Sequence, residues 1–360
     1  MDTNENYINR CFELALKGAG AASPNPLVGC VIVKNGKVAA EGYHKKYGEA
    51  HAERNAINAA LKKGISLKGA ELYVNLEPCA HFGKTPPCCD LIIEHKFSKV
   101  VIAMKDPYHE VMGRSVKKMR KAGIEVVTGV LEQEAIELNK FFVKFVTTGL
   151  PYITIKAAQT IDGKIADDKY RSKWISSTES RRTVHKLRAV YDAVLVGANT
   201  VRYDNPKLNV RDVRGRDPYR IILDKDLLLK PAYNVFKYKD SRTIVVTSID
   251  AGIKKVRALQ KKSVVVLPCK IKDGKFELKD VLNKLAAINI ASIMIEGGAY
   301  VYNEFLEANL VDELLIFIAP DVMGSGITAF ANKQAFKQFT RINYYSSGRD
   351  ILVNLRKHVP

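Results

Sequence analysis

The chain has 360 residues, with 57 Lys and Arg against 38 Asp and Glu, a formal net charge of +19. That length allows two or three domains, each able to bury a core, and 47% apolar with 26% charged residues excludes a disordered or fibrous chain. No apolar run approaches the roughly 18 residues of a membrane span and the opening residues 1–6 are polar and acidic, unlike a leader, so a cytoplasmic protein with no membrane partner is expected.

Chain order predicts alternating helices and strands. Ile8, Cys11, Phe12, Ala15, Leu16 and Ala19 recur at helical spacing until Gly18, Gly20 and the Ser23-Pro24-Asn25-Pro26 run stop the helix. Strands over 28–33 and 37–43 flank Asn35-Gly36, a hairpin signal. A helix over 51–63, a strand over 71–75, a Pro- and Cys-rich loop and a helix from Pro87 to His95 follow. A strand over 100–104, a helix over 116–122, a strand over 125–127 and a helical stretch over 131–146 complete this half. The joint is placed at Thr148-Gly149, giving domains of 1–148 and 149–360. Beyond it, strands are predicted at 152–157, 193–196, 220–223, 243–247, 263–267, 292–295 and 314–318, and helices at 177–189, 280–288 and 299–308. The last 30 residues are weakly patterned. The fold class is therefore α/β in both halves.

Charge is uneven. Residues 1–148 carry 21 basic and 16 acidic side chains, net +5, and residues 149–360 carry 36 and 22, net +14. Of the six cysteines, Cys11, Cys30 and Cys269 read as small buried hydrophobes. Cys79, Cys88 and Cys89 stand apart, because they cluster near His51-Ala52-Glu53 in the predicted elements.

His51, Cys79 and Cys88 supply one imidazole and two thiolates, three zinc ligands that leave a fourth tetrahedral position open, as in catalytic sites. Each thiolate lies near a turn into a helix, where the dipole favours its anionic form. Cys89 competes for the role, and Cys88 is preferred because it follows Pro86-Pro87. Glu53 is then expected to carry protons between water, a ring nitrogen and departing ammonia. This is the His-x-Glu plus Pro-Cys signature of zinc nucleobase deaminases. A helix-capping His51 and core cysteines are the plainer alternative.

Eight residues separate the two cysteines, where nucleic-acid deaminases typically have two. The segment Pro78-Cys79-Ala80-His81-Phe82-Gly83-Lys84-Thr85-Pro86-Pro87-Cys88 resembles the bifunctional deaminase–reductase family of riboflavin biosynthesis. The resemblance continues through 23–29, Gly42-Tyr43-His44 and the loop opening Asp106-Pro107. It implies an N-terminal cytidine-deaminase-like domain and pyrimidine contacts from Asn25, His44 and His81. Tyr108-His109 departs from the family's Asn-Pro, which leaves contacts from that segment open.

Three stretches of the second half stand out: 156–164, running into Asp162-Gly163; 197–206, a loop rich in hydrogen-bonding groups; and Glu296-Gly297-Gly298, between a strand and a helix start. No G-x-G-x-x-G fingerprint occurs. The resemblance assigns them to a dihydrofolate-reductase-like domain using NADPH. It implies cofactor contacts from Ala158, Trp174, Thr200, Asp204, Gly297, Gly298, Ala299, Tyr300, Val301, Tyr302 and Asn303. Substrate contacts are implied for Ser172, Arg188, Leu208, Arg211 and Glu296, with Arg188 and Arg211 suited to a ribose phosphate. On residues alone, Trp174 could equally be a core aromatic.

The expected protein is a two-step enzyme. It deaminates a phosphorylated diaminopyrimidine with zinc, then reduces the ribosyl group with NADPH. Its expected partners are small phosphorylated aminopyrimidines, not nucleic acid, and a homo-oligomer is expected. A tRNA- or nucleic-acid-editing deaminase with a basic accessory domain, and a non-catalytic binding protein with a closed structural zinc site using Cys89 or His81, are the rivals.

Overall fold

A computed structural model describes residues 3–80, 86–108, 112–331 and 339–357. The chain divides into two compact units, Met1–Thr148 and Gly149–Pro360.

The first unit opens with α1 (Thr3–Leu16), which buries Ile8, Cys11, Leu14 and Ala15 against the sheet. Strands β1 (Gly29–Lys34) and β2 (Lys37–Tyr43) form the hairpin, turned by Asn35 and Gly36 at positive φ. Helix α2 (Ala52–Lys62) buries Ala52, Ala56 and Ala60 on one side, a four-residue spacing of small side chains that admits close approach. That approach meets Gly42 of β2, where a Cβ would lie 2.4 Å from the Ala56 amide and 2.5 Å from the Ala52 carbonyl oxygen. Strand β3 (Glu71–Leu76), α3 (Cys88–Glu94), β4 (Lys99–Met104), α4 (Arg114–Lys121) and β5 (Glu125–Thr128) follow. The sheet runs β2-β1-β3-β4-β5, antiparallel in its first two pairings and parallel in the rest. Buried on both faces, β4 is a continuous apolar run after Lys99. The stretch expected as one helix over 131–146 is two, α5 (Glu132–Leu138) and α6 (Lys140–Thr148), broken at Asn139, whose side chain is recruited by the Leu27 backbone.

The second unit is built on a nine-stranded sheet. Its elements are β6 (Tyr152–Thr160), β7 (Lys164–Ala166), α7 (Thr178–Val190), β8 (Ala193–Gly197), α8 (Ala198–Asp204), β9 (Tyr219–Leu223), β10 (Thr243–Ser248), α9 (Ile253–Gln260) and β11 (Val265–Cys269). Then come the short hairpin β12 (Ile271–Lys272) and β13 (Lys275–Phe276), α10 (Leu278–Ala287), β14 (Ser292–Gly297), α11 (Ala299–Glu307), β15 (Glu313–Ala319), β16 (Ile327–Thr328), β17 (Arg341–Ser347) and β18 (Asp350–Arg356). The order is β11-β10-β9-β8-β14-β6-β15-β18-β17, parallel until β18 and β17 pair antiparallel at one edge. Apolar residues of β6, β8, β9, β10 and β14 pack with α10 and α11 into one core.

Three further sequence expectations change. The loop expected over 197–206 is helical over Ala198–Asp204, because Val201 is buried under it. The strand expected over 263–267 lies at Val265–Cys269, paired in parallel with β10. The unpatterned C-terminal stretch contains β17 and β18, and β17 exposes six of its seven residues, so burial imposes no alternation on it.

Candidate active sites

In the first unit, helix ends bring the chemistry together. His51 is the N-cap of α2, in extended conformation, and Glu53 lies in the first turn, 3% exposed. Placing His51 outside the helix proper lets it face the same cavity as a residue two positions on. Pro87 caps α3 and Cys88 is its first residue. Cys79 follows β3 after Glu77-Pro78. His51 Nδ1 lies 3.6 Å from both the Cys79 and Cys88 sulfurs, and the three donor atoms all fall within 4.8 Å of one another. The Cys88 amide donates to Cys79 Sγ at 3.2 Å, a helix N-terminus aimed at a sulfur anion. Cys89 points elsewhere, its thiol on Asp90 at 3.3 Å.

The electrostatics suit a soft cation. The Cys79 thiol is drawn down to about 4, first by the Cys88 side chain and also by His51 and the Cys88 amide, against its burial. Cys88 moves up as the partner that keeps the proton. His51 is raised, chiefly by its bond to Cys79. One imidazole and two thiols that already share charge are a donor set that fits zinc. Burial, then Cys79, pushes Glu53 up to about 7, within reach of neutral-pH proton transfer.

A cavity of ≈ 310 Å³ opens on this group and is also lined by Asn25 and His44. His44 Nδ1 meets the Ala50 carbonyl oxygen at 3.1 Å, which leaves Nε2 to accept from Asn25 Nδ2 at 3.2 Å. Burial lowers the His44 pKa, favouring this neutral ring. His81 and His109 lie outside the described residues. Glu77, Tyr47 and Phe142 line the same cavity without having been singled out. Only Glu77 carries a sequence signal, a carboxylate directly before Pro78-Cys79.

The second cavity, ≈ 710 Å³, lies at the carboxyl ends of β6, β8 and β14, where open parallel sheets bind ligands. It brings together Ser172, Arg188, Leu208, Arg211 and Glu296 with Ala158, Trp174, Thr200, Asp204, Gly297, Gly298, Ala299, Tyr300 and Tyr302. Val301 is buried and Asn303 bonds back to the Ala299 carbonyl, so neither lines it. A Cβ on Gly297 would meet Thr200 Oγ1 at 2.8 Å, so glycine there keeps β14 close to α8. Gly298, at φ +90°, caps α11. Trp174 is 65% exposed under the Arg181 guanidinium, 4.6 Å from the ring centroid, which removes the core-aromatic alternative. Ser172 Oγ donates to Asp204 at 2.9 Å.

Arg188 differs from its expected free fork. Its Nε and Nη2 each donate to a Glu296 oxygen at 2.6 Å, and Nη1 donates to the Asn209 carbonyl at 3.0 Å. Burial would raise Glu296, but Arg188 and Lys156 draw it down instead. Lys156, itself lowered by burial, and His185 also line this cavity. Lys156 is the one charged residue of β6, and that mismatch is its signal.

These two sites define a chain that joins a deaminase with a zinc-type donor set to a dihydrofolate-reductase-like reductase. Residues 1–104 match the cytidine and deoxycytidylate deaminase zinc-binding region, and residues 151–353 match the RibD C-terminal domain. The chain is 45% identical over 328 residues to the riboflavin biosynthesis protein RibD of Aquifex aeolicus, covering 91% of this chain and 90% of that one. It is 36% identical to that of Escherichia coli over 374 residues, with 98% and 99% covered. A Thermotoga maritima crystal structure described as a diaminohydroxyphosphoribosylaminopyrimidine deaminase/5-amino-6-(5-phosphoribosylamino)uracil reductase superposes with TM-score 0.88 at 41% identity, covering 99% of each chain. Acinetobacter baumannii RibD gives TM-score 0.87 at 33% identity, again with 99% of each covered. The chain belongs to the RibD family and is a bifunctional deaminase and reductase of riboflavin biosynthesis. No helix among the described residues is long and apolar enough to cross a membrane.

Proposed function

We propose that the first unit hydrolytically deaminates 2,5-diamino-6-ribosylamino-4(3H)-pyrimidinone 5′-phosphate, and that the second reduces the product's ribosyl group to ribityl, giving 5-amino-6-(5-phosphoribitylamino)uracil. The observation that carries the first assignment is the focus of His51, Cys79 and Cys88 beside buried Glu53 in one cavity. Zinc held by these three residues would supply an activated water. Glu53, with its raised pKa, moves protons to the ring nitrogen and the leaving amine. Asn25 and His44 hold the pyrimidine edge, the neutral imidazole fixed by Ala50.

In the second unit NADPH would supply the hydride. Gly297, Gly298 and the start of α11 offer backbone amides to its phosphates, with Thr200 and Asp204 alongside and Trp174 at the mouth. Glu296 orients Arg188, and Lys156 offers a proton donor in the same cavity. Arg211, 44% exposed at its side chain, is left to meet the ribose phosphate. A homo-oligomer completes the proposal, supported by the exposed Ile342 and Tyr344 on edge strand β17 and testable by sedimentation. Six unpaired cysteines suit a reducing cytoplasm.

Ammonia release from the aminopyrimidine, measured with zinc stoichiometry, tests this reading. Glu53→Gln should retain one zinc per chain and lose at least about a hundredfold of deaminase turnover, the usual weight of a positioned acid–base group. It should still oxidise NADPH when given the deaminated product. Full deaminase turnover in Glu53→Gln would overturn the mechanism.

A further inference from the structure

One buried carboxylate in the first cavity has no part in the chemistry above. Glu77 is 5% exposed and lines the cavity together with Asp106. Its Oε2 accepts from the amides of Asp106 at 3.2 Å and Gly113 at 2.9 Å. Its Oε1 accepts from the amide and the hydroxyl of Ser115 at 3.1 and 2.8 Å. Its own amide donates to the Met104 carbonyl at 2.9 Å, at the end of β4.

Four donors from both sides of the connection between β4 and α4 therefore converge on one side chain. A carboxylate offers about four lone-pair sites, so Glu77 is fully engaged as an acceptor. Such a group is built to hold backbone in place. Asp106 in turn accepts from the Tyr108 amide at 2.9 Å, which fixes the turn at the cavity wall.

We propose that Glu77 is a positioning residue for deamination: it sets the wall that includes Asp106 against the substrate, separately from the proton chemistry of Glu53. This rests on the deaminase reading of the cavity. Glu77 acts on substrate binding, so its loss should appear in KM and not in kcat. Glu77→Gln keeps the shape but replaces one acceptor oxygen with an amide group, leaving backbone donors unpaired.

The test uses the full chain and measures ammonia release, zinc content and NADPH oxidation on the deaminated product. We expect Glu77→Gln to raise the KM for deamination about tenfold, with kcat within about twofold. Zinc content and NADPH oxidation should stay at wild-type values. Asp106→Ala keeps the amide that Glu77 holds but removes the carboxylate that accepts from the Tyr108 amide, so it should raise KM similarly, and the double variant should add little, because both side chains fix the same turn. Ser115→Ala removes a single donor and leaves the carboxylate intact, so it keeps the test open if Glu77→Gln does not fold; its KM should rise about twofold. An unchanged KM in Glu77→Gln or Ser115→Ala, or additive effects with Asp106→Ala, would overturn the proposal. Loss of zinc with kcat at constant KM would also overturn it, by making Glu77 a brace for Cys79. If the wild-type chain itself released no ammonia, the deaminase reading would have failed instead.

Discussion

His185 shows how a single side chain links burial to pH. It lies on α7, three residues before Arg188, and its Nδ1 accepts from the Arg211 amide at 3.3 Å. Burial, then Arg188 and Arg211, lowers its pKa to about 4. The unfolded chain would protonate near 6.5, so between these values the unfolded state binds the extra proton. The stabilising contribution is therefore present above about 6.5 and is lost as pH falls toward 4. Protonation also removes the acceptor for Arg211. The folded chain takes up this proton only near pH 4, so the reductase KM should rise as pH approaches about 4, and His185→Gln should flatten the rise; an equally steep profile in the variant would contradict this. The Arg188–Glu296 pair makes a different point. Removing one partner of a buried ion pair strands the other charge, at roughly 3–5 kcal/mol. Glu296→Ala should therefore lower the second unit's melting temperature, as calorimetry would record, besides impairing reduction.

Helix ends and strand ends carry both sites, and here the sequence was unevenly informative. His51, Glu53, Cys79 and Cys88 are legible because His-x-Glu, Pro78-Cys79 and Pro86-Pro87-Cys88 are each local signals, complete within a few residues. The Arg188–Glu296 pair was not, since its partners are 108 positions apart and only the sheet order brings them together. Helix α8 looked like a loop because Asn199, Thr200, Asp204 and Asn205 favour turns, and tertiary packing of Val201 overrides them. Helix α9 carries no broad apolar stripe that the sequence could show, because only Leu259 of its residues is buried. Gly42 tests the element scale directly. A methyl group there collides with α2 backbone that cannot swing aside, so Gly42→Ala should destabilise the first unit by about 1–3 kcal/mol. It should also weaken zinc retention, because α2 carries His51. Dialysis against a chelator, with the second unit's thermal transition as reference, measures both.

At the scale of the whole molecule, each unit has its own sheet and its own buried residues. A unit with a complete core should fold alone. Residues 149–360 expressed alone should oxidise NADPH on the deaminated substrate, within about threefold of the full chain's kcat if both catalytic and binding groups are intact. A well-folded segment that fails to do so would contradict the assignment. The net +14 of this unit also fits the anionic ligands proposed for it. Added salt should therefore slow substrate capture more than it slows turnover.

The position of His51 before α2 and of Cys88 at the head of α3 has an evolutionary consequence. The proposed metal donors occupy the seams between elements, so the outward faces of both helices should be free to drift. Randomising the exposed positions of α2, such as Asn58, Leu61 and Lys62, should leave most variants able to hold zinc. A single-residue insertion between Ala50 and Ala52, or between Pro87 and Cys89, should abolish it. On these outward faces, retention of zinc should thus depend on chain length at two junctions more than on residue identity.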